Sequence, residues 1–172
     1  MPSLLIDLPI NPVIDSNVLF DFLAWRFCVE TGTQFPERLP STALAIDSMR
    51  ALAWYLDKAK PIHTSPHVIA EIHGLVQRRF GWHGRRLSDF WRFAQEELTR
   101  FMLEEHLIKL VKMHRQDLVE FGPTDNSILE VAVQTGGTVV TDEGDLRGRL
   151  TKDQIQVLSR YEILAHWQDR NA

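Results

Sequence analysis

Short apolar runs alternate with amphipathic stretches along the chain. The runs PVIDSNVL, PIHT, LIKLVKM, TVVT and QIQVL carry the apolar and β-branched residues typical of buried strands. Between them lie stretches with helical periodicity, such as SPHVIAEIHGLVQRRF, in which Ser65 and Pro66 provide a helix start. Strands separated by helices, without hairpin signals, predict an α/β fold: a parallel sheet of about five strands covered on both faces.

The same periodicity predicts the other helices. FDFLAWRFCVE and RYEILAHW are helical in pattern, and GPTDNSILEVAVQTGG is a turn followed by a helix that ends at its glycines. Two longer helices are STALAIDSMRALAWYLDKAK, capped by Ser41 or Thr42, and LSDFWRFAQEELTRFMLEEH, capped by Ser88.

Length and charge narrow the function classes. At 172 residues the chain suits one domain, and 19 Lys and Arg against 23 Asp and Glu give a net charge of -4. Any contact with nucleic acid must therefore be local. Cys28 is the only cysteine, which excludes an intramolecular disulfide and a thiolate metal cluster. With no signal-peptide pattern and no long apolar run, we expect a cytoplasmic protein without a membrane anchor.

Acidic residues recur where a parallel sheet places its chemistry, at the carboxyl ends of the strands. Asp15 lies late in the first apolar run, and TDEGD at 141–145 follows TVVT. Asp125 lies in the first turn of a predicted helix, three residues before the apolar Ile128, and Glu71 borders the buried stripe of another helix. Four segments thus direct an acid toward the interior or the sheet edge.

Clustered carboxylates repel each other unless a cation offsets their charge. Oxygen ligands suit Mg²⁺ or Mn²⁺, and the usual chemistry of such sites is phosphodiester hydrolysis. The sequence therefore predicts a carboxylate site for one or two of these ions.

The four acidic motifs, taken in order, resemble those of PIN-domain proteins, the family of VapC-type toxins and other ribonucleases. They are VIDSNVL, TSPHVIAEI, GPTDNSILEVA and VVTDEGD, and the resemblance spans residues 12–160. It implies a single domain with a three-layer α/β/α fold and Mg²⁺- or Mn²⁺-dependent cleavage of single-stranded RNA. The chain is longer than compact members of the family, with additional helices expected in 24–60 and 78–106.

The resemblance also implies site residues. Asp15, Glu71 and Asp125 match the first three acids of the family, and Asn17 matches a polar residue that orients the site or its water. Thr141 ends the strand before the fourth acid. The position of that acid stays open, because the family spacing falls on Glu143 whereas we favour Asp142 and Asp145. The predicted catalytic residues are Asp15, Glu71, Asp125, Asp142 and Asp145, and the predicted metal ligands are Asp15, Asp125, Asp142, Glu143 and Asp145.

Several predictions concern partners. Arg147 and Arg149 follow the acids where a phosphate backbone could pass, although an ordinary surface charge is the favoured interpretation. The stretch RRFGWHGRR at 78–86 mixes arginines with aromatic residues that stack on bases, but a solvated loop or a contact with a partner chain is favoured over nucleic-acid binding. A homodimer and an antitoxin-like protein are the expected protein partners. The alternative function is a non-catalytic PIN-like binding module that serves a protein partner.

Overall fold

A computed structural model describes residues 8–36, 43–109, 111, 113 and 115–171. Within them, five strands form one all-parallel sheet. The strands are β1 (Pro12–Ile14), β2 (His63–Thr64), β3 (Glu104–Glu105), β4 (Thr138–Val140) and β5 (Val157–Leu158). The predicted α/β class, with about five parallel strands, is confirmed.

Seven helices of the described residues flank the sheet in a three-layer α/β/α arrangement. They are α1 (Ser16–Thr31), α2 (Ala43–Lys58), α3 (Pro66–Phe80), α4 (Gly84–Arg100), α5 (Arg115–Thr135), α6 (Gly144–Lys152) and α7 (Arg160–Asn171). Helix α1 packs with α3 and α4, α2 packs with α7, and α5 packs on β1, β2 and β4. None of the described helices combines the length and apolar content that crossing a lipid bilayer requires.

The strand order is β3-β2-β1-β4-β5, so β1 lies at the centre. The chain leaves β1 toward β2 on one side and later returns to β4 on the other. The neighbouring strands β1 and β4 therefore flank the topological switch point, and the loops after them diverge. In open α/β sheets this crevice is where ligands bind.

Several boundaries differ from the sequence prediction. The first strand is shorter, because Ser16 already begins α1 and Asp15 occupies its N-cap position. Helix α5 begins at Arg115, ahead of the turn predicted at Gly122. Helix α4 begins at Gly84 instead of after Ser88, with His83 at its N-cap. The third strand is Glu104–Glu105, which the pattern assigned to a helix end, while 107–109 of LIKLVKM is not strand.

Other local signals hold in the structure. The Ser65 hydroxyl accepts a hydrogen bond from the Val68 N–H, with Pro66 at the first helical position of α3.

The acidic turn after β4 leads into α6, a helix that the sequence pattern did not indicate. The predicted caps Ser41 and Thr42 lie outside the described residues.

Candidate functional site

Asp15 lies at the switch point, directly after β1 and at the N-cap of α1. Its backbone N–H donates to the Val140 carbonyl of β4 (3.1 Å), so the end of β1 is tied to the end of β4. Its buried carboxylate accepts hydrogen bonds from the hydroxyls of Thr141 (2.9 Å) and Ser16 (3.2 Å). Burial raises the pKa of Asp15 to about 6, with a further contribution from the charge of Glu143, while the hydroxyl hydrogen bonds oppose the rise.

Asp125 faces the same crevice from α5. The helix is interrupted at Gly122, whose φ of 77° and ψ of 176° favour glycine, and it resumes after Pro123. The Asn126 amide donates to the Gly122 carbonyl (2.7 Å) and holds the interruption in place. As a result Asp125 lies in the first turn of the resumed helix, close to the ends of β1 and β4.

The pKa of Asp125 is raised to about 7. Burial is the largest cause, and the negative charges of Glu143, Asp15 and Glu71 follow in that order. The four carboxylates come from four separate segments: Glu71, Asp125 and Glu143 line one depression, and the charge of Asp15 also acts on Asp125. This assembly, Asp15, Glu71, Asp125 and Glu143, is called the carboxylate cluster below.

A pair of buried serines joins the helices that carry Glu71 and Asp125. The hydroxyl oxygens of Ser65, which caps α3, and Ser127 on α5 are 2.6 Å apart. Ser127 has one hydroxyl proton and donates it to the Thr124 carbonyl (2.6 Å), so Ser65 is the donor between the two serines. The register of α3 against α5 is thereby fixed.

Among the acids of the 142–145 turn, Glu143 is the one whose charge contributes to the raised pKa values of Asp15 and Asp125, whereas the sequence prediction favoured Asp142 and Asp145. Asp142 is turned away toward α7, where it accepts from the Arg160 backbone N–H (2.9 Å) and from its guanidinium. The same guanidinium contacts Asp21 on α1 (3.1 Å). Asp142 therefore anchors the start of α7. Glu143 and Asp145 are both exposed and both line the larger depression described below, with Asp145 in the first turn of α6.

Two adjoining depressions meet at the cluster. The smaller, about 390 Å³, is lined by Asn17, Glu71 and Arg79, and the larger, about 700 Å³, by Asp145, Arg149 and Lys152 among others. Phe121, Asp125 and Glu143 line both depressions. The two depressions together form a groove in which carboxylates and cationic side chains are both present, Arg79 in the smaller depression and Arg149 and Lys152 in the larger.

The predicted supporting residues take defined positions around this groove. Thr141 contacts Asp15 as described, and Asn17 accepts a hydrogen bond from Arg79 (2.9 Å). Arg149 lines the larger depression and pairs with Asp117 (2.9 Å), whereas Arg147 pairs with Glu162 (3.1 Å).

The aromatic residues of 78–86 are placed for packing. Trp82 is buried against Phe27 and Phe90, and Phe80 is half-buried against Phe20. Trp82 is therefore not available for stacking on bases, whereas His83 is exposed, so base stacking by this stretch stays a prediction for its other residues. Its arginines remain at the surface.

A second group of metal-ligating side chains lies on other strands. His63, Glu104 and His106 bring one ligand atom each within 4.8 Å of one another, and among the described residues they are the one group of three that does so. A set of side chains at metal-binding distance is thus present, at a place the sequence analysis did not indicate. No local signal marks it, because Glu104 and His106 fall in a stretch whose pattern predicts the end of a helix.

No protein-family model matches the chain, and no curated protein matches it closely enough to be called a relative.

Proposed function

We propose that the protein is a metal-dependent ribonuclease of PIN type, which hydrolyses phosphodiester bonds of single-stranded RNA. The supporting observation is the carboxylate cluster. Four acids from four segments lie around the switch point of a parallel sheet, and burial, followed by the charges of the other three acids, raises the pKa of Asp125 to about 7. Neighbouring carboxylates disfavour each other's charged forms, and a bound cation would offset this repulsion.

The donor chemistry of the cluster fits Mg²⁺ or Mn²⁺. Hard oxygen ligands suit both ions, and Mg²⁺ uses one or two carboxylates and keeps several waters, so a closed protein cage is not required. Asp15, Asp125 and Glu143 would hold the ion, and Glu71 would position it or its water. When bound, the ion supplies an activated water and stabilises the leaving oxygen.

The remaining groove residues have roles that follow from their chemistry. The guanidinium of Arg79 and the ammonium of Lys152 lie in different depressions of the groove and can neutralise the phosphates that flank the cleaved bond. Thr141 and Ser16 hold the Asp15 carboxylate in one orientation. Asn17, fixed by Arg79, presents a polar group beside the acids.

A non-catalytic binding module is the second candidate. The observation in its favour is that, within the described residues, the carboxylate cluster does not bring three ligand atoms within 4.8 Å of one another. In a nuclease the cluster contracts around the ion, whereas in a binding module it binds Mn²⁺ weakly or not at all. A toxin role, an antitoxin-like partner and a homodimer stay predictions.

The test is cleavage of a mixed-sequence single-stranded RNA by the purified full chain with Mn²⁺, with Mg²⁺ or with a chelator. Asp125→Asn removes a cluster charge, and Glu130→Gln on the same helix is the matched control. We expect metal-dependent cleavage by the wild type and Glu130→Gln, and loss of about 100-fold or more in Asp125→Asn, the scale of losing a transition-state contact. Equal cleavage by all three proteins would indicate a contaminating nuclease, and inert protein without Mn²⁺ binding would favour the binding module.

A further inference from the structure

The pairing of β2 with β3 brings together three side chains outside the carboxylate cluster. His63 on β2 is directly opposite Glu104 on β3. Backbone hydrogen bonds from Glu104 N–H to Ile62 O (2.8 Å) and from His106 N–H to Thr64 O (2.9 Å) fix the register. Since side chains alternate along a strand, Glu104 and His106 lie on the same face, with Glu105 on the other.

The ligand atoms of these residues converge. His63 Nδ1 is 3.0 Å from His106 Nε2 and 3.5 Å from Glu104 Oε2. Ligands at the zinc distances of about 2.0–2.2 Å in tetrahedral geometry are about 3.3–3.5 Å from each other, so the observed separations bracket that spacing. The Glu104 side chain is exposed and can close the remaining distance to His106.

His63 Nδ1 carries at most one proton but faces both an imidazole nitrogen and a carboxylate oxygen. It can therefore donate to one of the two but not to both, and the exposed Glu104 carboxylate is otherwise hydrated. One divalent cation among the three atoms would contact all of them.

We propose that His63, Glu104 and His106 form a binding site for a zinc-class divalent transition ion. Two imidazoles and one carboxylate are a ligand set that zinc uses, with water in the open position. Mixed nitrogen and oxygen ligands also admit Co²⁺ and Ni²⁺.

The site has a structural consequence for the edge of the sheet. Strand β3 is the edge strand and pairs with β2 through two residues only. An ion shared by His63 on one strand and two residues on or beside the other ties the edge to the sheet. Because the ligands are brought together only in the folded chain, binding stabilises the fold.

The experiment measures Zn²⁺ affinity of metal-free, untagged full chain by competition with a chromophoric chelator at pH 7.5. Glu104→Gln and His106→Gln each remove one ligand, and Glu105→Gln is the matched control because it changes an adjacent exposed glutamate on the opposite face. All are made in an Asp15→Asn, Asp125→Asn background, which suppresses binding by the carboxylate cluster.

We expect one Zn²⁺ per chain, retained in Glu105→Gln and weakened about tenfold or more in the two ligand variants, the scale seen when zinc coordination is perturbed. Co²⁺ should give visible absorption bands of a low-symmetry site that disappear in His106→Gln, and Zn²⁺ should raise the melting temperature of Glu105→Gln but not of Glu104→Gln. Absence of binding in the background protein, or equal affinity in Glu104→Gln and Glu105→Gln, would overturn the proposal. The proposed nuclease activity is independent of either result.

Discussion

The hydroxyl of Thr141 donates to the Asp15 carboxylate at 2.9 Å and accepts from the Glu143 backbone N–H at 3.1 Å. One buried side chain at the end of β4 therefore fixes both the acid after β1 and the turn that carries the fourth acid. Its loss would affect two members of the carboxylate cluster at once.

Replacing this hydroxyl should reduce stability and metal affinity together. Thr141→Val keeps the shape but removes the hydrogen bond that opposes the raised pKa of Asp15, so protons compete more strongly with Mn²⁺ at neutral pH. We expect a destabilisation of about 1–3 kcal/mol from the unmatched buried groups, measured by urea unfolding. Thr138→Val, which loses a hydrogen bond to Gln156 at the other end of β4, is the control. It should lose stability and keep its Mn²⁺ affinity; equal Mn²⁺ affinity in both variants would contradict the role of Thr141.

Three single substitutions test which residue is the fourth acid of the metal site. Glu143→Gln should weaken Mn²⁺ binding by about tenfold or more, as expected for a lost ligand. The affinity is measured from the electron paramagnetic resonance signal of the free ion. Asp142→Asn should leave Mn²⁺ affinity unchanged but destabilise the fold, because it weakens the contact with Arg160 at the start of α7. Asp145→Asn should change neither quantity by much. A larger loss of Mn²⁺ affinity in Asp142→Asn than in Glu143→Gln would reverse the assignment.

Metal-free protein should lose stability as the pH rises through the pKa values of the cluster. The pKa of Asp15 is raised to about 6 and that of Asp125 to about 7, both from 3.8, so the folded chain binds their protons more tightly than the unfolded chain. This stabilisation is complete below pH 3.8 and is lost as the pH rises through 6 and 7.

Thermal unfolding with chelator at pH 5 and pH 8 tests this linkage. Asp125→Asn should be more stable than the wild type at pH 8, and its advantage in stability should be smaller at pH 5. Each 1 kcal/mol of unfolding free energy corresponds to a change of about 2–4 °C in melting temperature. The lowered pKa of His63 acts in the opposite sense but is common to both proteins, so the difference between them isolates Asp125. Parallel profiles of melting temperature against pH for the two proteins would show that the pKa of Asp125 is not raised in the folded chain.

The hydrogen bond between Ser65 and Ser127 should affect catalysis indirectly, because it positions the helices that carry Glu71 and Asp125. Ser127→Ala leaves the Ser65 hydroxyl without its buried acceptor, which costs about 1–3 kcal/mol of stability. Because Glu71 and Asp125 are then less firmly registered, we expect a lower kcat for RNA cleavage at saturating Mn²⁺ with KM little changed. Ser88→Ala, at an exposed helical position, is the control. A drop in stability with an unaltered kcat would reduce Ser127 to a purely structural role.

Local signals in the sequence were sufficient for the class of the fold. The β-branched run before Thr141 and the Ser65-Pro66 helix start act through nearest neighbours, so their structures could be predicted without knowing what packs on them. The strand at Glu104–Glu105 could not be predicted, because two exposed glutamates have no strand propensity and are ordered only by pairing with β2.

The sequence by itself determined that acids end two strands and begin or border two helices, since this depends on periodicity alone. Only the tertiary structure decided which acids meet. Asp142 and Glu143 are adjacent, yet the turn into α6 directs one toward Arg160 and the other toward Asp15 and Asp125. Likewise His63 and His106 are 43 residues apart, and only the parallel pairing of β2 with β3 brings their nitrogens within 3.0 Å. Spacing along the chain reports the direction of a side chain on its own element, whereas contact between elements depends on strand order and register.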